Sequence, residues 1–166
     1  MAGAAIVFII AQLPGIERAL HAAHARSLDL EPLMDQIGMA METTTHERFE
    51  TESDPHGNRW TPSIRAREQG GKTLTYQGHL DNSVTHRAGA EQVEIGSNLI
   101  YARIHQEGGT ISGKNGNLKF RLPGALGFRS VESVLIPARP FIGLGGDDAL
   151  TIEELAGDYL LGELAS

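Results

Sequence analysis

Apolar residues at Leu30, Leu33, Met34, Ile37 and Met41 recur at spacings of three and four, which places them on one face of a helix. Asp29 is placed to cap its start, and Pro32 falls in the first turn, where a missing N–H is tolerated. The pattern carries this helix past Phe49 to Glu52, and the turn-forming run Asp54-Pro55-His56-Gly57-Asn58 stops it. Upstream, residues 4–10 are the most apolar stretch, rich in Ile and Val with one Phe, and read as a buried strand able to join a sheet edge. The run has no basic flank and ends at Pro14, too short to span a bilayer, so neither a targeting nor a membrane role is expected of it. A helix from Pro14 through Ile16, Leu20 and Ala23 follows.

Past residue 58 the pattern changes to short alternating segments, Gln92 to Ile95, Lys119 to Leu122 and Ser133 to Ile136, separated by glycine-rich breaks. These predict strands of modest length. Gly108 to Asn117 is the longest polar stretch and reads as an exposed, mobile loop, within a loop region near 108–130. Thr151 and Glu154 have capping-box spacing, and Leu150 with Leu155 fits the accompanying hydrophobic staple, so a helix closes the chain. No repeat and no interdomain linker interrupts residues 1–166, which predicts one domain. The expected fold class is α+β, a mostly antiparallel sheet with two N-terminal helices and one C-terminal helix packed on it.

Charge sharpens this picture. The formal net charge is −7, which disfavours nucleic acid and anionic membranes as partners. Residues 1–54 carry 3 basic and 9 acidic side chains, residues 55–146 carry 11 and 6, and residues 147–166 carry 0 and 6. Acidic ends around a basic middle suit contacts between different faces of copies of one chain, since opposite potentials steer encounter and fix orientation. The 20 glycines imply many turns, and the absence of cysteine excludes disulfides, thiolate metal sites and thiol catalysis.

Candidate chemistry is thin. Gly108 to Lys114 matches a phosphate-binding loop up to its last position, but Asn115 replaces the hydroxyl that holds magnesium, and Asn-Gly-Asn follows where a helix should begin. Among the seven histidines, His21 and His24 lack a matching carboxylate cluster, and His46-Glu47 lacks a second histidine. His105, before a double glycine, is placed to fix a turn through its ring. No nucleophile triad or pair of carboxylates in an apolar setting is present, so no catalytic residue, cofactor site or metal site is assigned. Trp60, the only tryptophan, is placed either to cap the core or to anchor a partner.

The order of several motifs is more informative than any one of them. Arg48-Phe49, Asp54-Pro-His-Gly57 and Trp60 come first, followed by Leu74-Thr75, Gly78, Leu80 and Ser83. Tyr101-Ala-Arg-Ile-His-Gln-Glu-Gly-Gly109 comes next, and Ile136-Pro-Ala-Arg-Pro-Phe-Ile-Gly143 with Asp147-Asp148 closes the series. This succession resembles the phage virion morphogenesis family of Mu-like phages, which is similar to the tail completion proteins of P2-like phages. The chain departs from the pattern at Tyr76-Gln77 and in the glycine- and asparagine-rich stretch between Gly109 and Val131.

The resemblance implies a structural protein of tailed-phage or prophage virion assembly, without catalysis or cofactor, that finishes the tail or the head–tail joint. It implies as partners other copies of the chain, in a ring of six set by tail symmetry, and the tail tube or terminator with neck and connector proteins. Its place is the host cytoplasm during assembly, then the tail or neck of the virion. Pro137 and Pro140 restrict the backbone around Arg139 and Phe141, and arginine and aromatic residues are favoured anchors. The candidate interaction residues are therefore Trp60, Arg59, His105, Gln106, Arg139 and Phe141. The same residues admit an inward reading, with Phe141 in the core and Arg139 paired to Asp147 or Asp148. The alternative functions are a DNA-binding accessory protein of the phage neck and a metal-dependent hydrolase.

Overall fold

Two prolines set the starts of the first two helices, Pro14 at the head of α1 (Pro14–Ser27) and Pro32 in the first turn of α2 (Glu31–Thr51). The computed structural model describes residues 14–113, 116–122 and 127–162. The apolar run 4–10, expected as a strand, and the side chains of Ile16 and Leu20 lie outside the described residues. The Asp29 carboxylate accepts the Glu31 N–H at 3.3 Å, close to its expected capping role, although Leu30 is the residue at the cap. At the other end Glu52 turns left-handed (φ 53°), and the helix stops before the 54–58 turn as the sequence predicts.

The buried face of α2 extends the apolar stripe through Leu33, Ile37 and Met41 to Thr45, Arg48 and Phe49. Its first half packs against α5 (Gly146–Leu161) through Ile152, Leu155, Ala156 and Tyr159. Its second half joins a separate cluster of Phe49, Trp60, Leu80, Val84, Ala102 and Phe141. Burying each large side chain of this kind contributes about 1.5–3 kcal/mol. Short elements carry the chain around this second cluster. They are α3 (Ile64–Gln69), capped by Ser63, a 3-10 turn (Asp81–Ser83) and α4 (Ala102–Glu107).

The α+β class holds, but the described strands form three two-stranded antiparallel ladders and not one sheet. β1 (Val84–Ala88) pairs with β2 (Val93–Ser97), and His86 of β1 lies on α2 over Gly38. A Cβ at residue 38 would overlap the His86 ring, so glycine is what lets the strand approach. Asp35 and Glu42, one turn to either side, hold that ring at 3.1 and 2.9 Å.

The other two ladders replace the loop expected near 108–130. β3 (Gly109–Ser112) pairs with β6 (Ser133–Ile136), and β4 (Leu118–Arg121) pairs with β5 (Phe128–Val131). Only Glu132 separates β5 from β6, so the two ladders adjoin as one hairpin arm. The polar Gly-Thr-Ile-Ser sequence hides β3 because three of its four residues face solvent, leaving no inward–outward alternation to read.

Helix α5 also begins earlier than Thr151 and Glu154 suggest. Gly145 is its cap, and the Asp148 carboxylate accepts the Gly145 N–H at 2.6 Å. Thr151 instead donates to the Asp147 carbonyl within the helix, at 3.0 Å.

Candidate interaction site

Residues 137–143 link β6 to α5 without entering any ladder, and two of them are prolines that carry no N–H. A partly buried segment of that kind must find partners for its remaining buried backbone groups elsewhere. Side chains from three other parts of the chain supply them. The Gln106 amide, on α4, accepts the N–H groups of Phe141 and Ile142 at 2.9 and 3.1 Å and donates to the Ile142 carbonyl at 2.7 Å. Trp60 donates its indole N–H to the Pro140 carbonyl at 2.9 Å.

Arg48, on α2, donates to the Phe141 and Gly143 carbonyls at 3.0 and 2.9 Å, and its other terminal nitrogen pairs with the Asp148 carboxylate. Arg48 and Asp148 are both buried, so one ion pair ties α2, the 137–143 segment and the first turn of α5 together. The Arg139 N–H reaches the His105 carbonyl at 2.7 Å. Gly108 permits that approach. Its φ is +71°, and a Cβ there would sit 2.6 Å from the Ala138 nitrogen.

This geometry sorts the candidate residues. Trp60 and Phe141 do not face outward as partner anchors. Their rings pack on Phe49, with centroids 5.6 and 5.1 Å away, and Phe141 is 1% exposed. Gln106 is committed to the backbone it braces. Arg59 is exposed and donates to the Thr51 carbonyl. Arg139 does not pair with Asp147 or Asp148, because Asp148 belongs to Arg48. Its Nε donates to the Thr61 carbonyl at 2.7 Å. Arg48 is the site residue to which the sequence assigns no role, and Asp148 is its partner and not that of Arg139. The available signal was an arginine at a core position of α2, where a charge requires a buried partner.

His105 and Arg139 open onto a groove of about 840 Å³ walled by the hairpin arm on one side and the 61–67 segment on the other. Ile111, Phe120, Val131 and Ile136 give it an apolar surface. Arg67, Arg129 and Arg139 give it positive charge, and no acidic side chain among the described residues lines it.

The pattern of the phage virion morphogenesis family matches residues 11–161 of the chain. The chain belongs to that family. A protein of Escherichia phage Mu that carries the name capsid assembly protein G is 33% identical over 117 residues, 65% of each chain. The chain therefore spans just under two thirds of that relative's length. No solved structure shows a significant match. The role of this phage virion morphogenesis protein lies in virion assembly. Among its described residues, no helix is long and apolar enough to cross a membrane.

Two histidines of this phage virion morphogenesis protein titrate in opposite directions. The hydrogen bond to Asp35, opposed by burial and aided by Glu42, holds His86 above the usual 6.5. Burial, with the nearby Arg139 charge, holds His105 below it, and the buried His105 Nδ1 has no hydrogen-bond partner among the described residues. The His86 contribution is therefore complete below pH 6.5 and fades as pH rises through its folded value. The His105 environment is fully favourable above pH 6.5 and weakens as pH falls below it. An NMR titration is expected to place the His86 midpoint above 6.5 and the His105 midpoint below it, and the reverse order removes this account.

Proposed function

We propose that this chain acts late in the assembly of a tailed phage, completing the tail and joining it to the head by docking on the tail end or neck. The tail tube or terminator and the neck or connector proteins are its partners in this reading. One observation carries it. The residues that mark the family, Arg48, Trp60, Gln106, Phe141 and Asp148, are spent on bracing a non-repetitive segment beside an open apolar groove. Bracing of this kind fixes a docking surface before the partner arrives and lowers the ordering cost of binding. The protein does no catalysis in this role. It acts in the host cytoplasm and then stays in the virion.

Extract complementation tests the proposal. Purified protein is added to a lysate of a phage mutant that lacks it, and joined infectious particles are counted. Particle number is expected to rise with added protein. Flat counts, in a lysate that wild-type extract restores, would remove the proposal.

A further inference from the structure

Arg139 is 5% exposed, yet no carboxylate reaches its guanidinium among the described residues. Burial is costly for such a charge unless it is paired. Its side chain lines the apolar groove, with the exposed Arg67 and Arg129 on the same walls. Leu135, 74% exposed, and Ile111, 41% exposed, leave apolar area open there as well. A fitting occupant therefore combines apolar side chains with carboxylates.

The chain itself carries such a surface. On α5 the exposed residues Asp147, Leu150, Glu154, Asp158 and Leu161 follow one another at spacings of three and four, so they form one stripe along the helix. Leu150 and Leu161 are 65% and 56% exposed, and the helix has no basic residue. The opposite face, through Ile152, Leu155, Ala156 and Tyr159, is already packed on α2. Helix α1 packs on α5 as well, yet the stripe residues stay exposed among the described residues, so the stripe is an open acidic and leucine-bearing helix face, complementary in both charge and polarity to the groove.

We infer that the groove of one copy receives the outer face of α5 from a second copy. Groove and helix are different surfaces, so the contact is head to tail, and repetition either closes a ring or extends a chain. The carboxylates of the stripe supply the partner that Arg139 lacks, and Leu150 and Leu161 cover Ile111 and Leu135. The inference concerns self-association alone and is measured on purified protein, so its failure leaves the complementation result standing.

Sedimentation velocity on the full chain, across a concentration series at low and high salt, is the first measurement. Association that weakens with salt is expected. Two variants confined to exposed residues then separate the surfaces, one with Arg67→Glu and Arg129→Glu and the other with Leu150→Lys and Glu154→Lys. Each alone is expected to stay monomeric where the parent associates, with unchanged circular dichroism. Mixed in equal amounts, they are expected to associate again, because one keeps the helix face, the other keeps the groove, and the two altered surfaces are now complementary in charge to each other. A parent chain that is monomeric throughout overturns the inference. So do variants that associate like the parent, or a mixture that stays monomeric because the groove's occupant is another protein.

Discussion

Replacing Arg48 with alanine is expected to destabilise the protein by about 3–5 kcal/mol, the loss seen when one partner of a buried ion pair is removed. Three groups lose their donor together: the Asp148 carboxylate and the carbonyls of Phe141 and Gly143. Asp148 is 3% exposed and cannot turn to water without giving up its bond to the Gly145 N–H. Domains of this size are stable by about 5–15 kcal/mol, so the variant keeps only a modest margin. Asp148→Asn is the milder test, since an amide oxygen still accepts from both Gly145 and Arg48. The double variant Arg48→Met with Asp148→Leu should lose less than the two single losses combined, because no charge is left stranded. Urea midpoints measure all of this. An Arg48→Ala protein that unfolds with the parent's midpoint would show that the pair does not hold the segment.

Parts of this architecture could be read from the chain because their signal is local. The stripe through Leu33, Ile37 and Met41 is a property of α2 alone, and the alternating residues of β2, β4 and β6 each face one side of their own ladder. β3 and β5 gave no such signal, since most of their residues are exposed and their existence depends on their partner strands. The two six-residue helices α3 and α4 are too short for periodicity to separate them from turns. At the site, sequence singled out Trp60, Gln106, Arg139 and Phe141, but their direction came from tertiary contacts between residues as much as 93 positions apart. An arginine and a phenylalanine between prolines look alike whether they point out or in. What decides here is that Gln106 and Arg48 already hold the backbone of 137–143 from the interior side.

Phe141→Ala is the second large effect, expected at about 3–5 kcal/mol for a fully buried aromatic side chain. Its ring touches Phe49, which in turn meets Trp60 edge-on at 77°, so the truncation opens a void in the middle of the cluster. Collapse cannot easily close it, because the Phe141 N–H and carbonyl stay pinned by Gln106 and Arg48. The same substitution separates bracing from anchoring. A core role lowers the urea midpoint of the isolated protein, and complementation then fails only at temperatures where the variant melts and returns on cooling. An anchor role would leave the midpoint unchanged and abolish complementation at every temperature. Arg59→Ala is the reference, since Arg59 is exposed and its loss should shift stability by no more than about 0.5 kcal/mol. If Phe141→Ala lost assembly while matching Arg59→Ala in stability, Phe141 would be a docking residue and the inward geometry would not describe its working state.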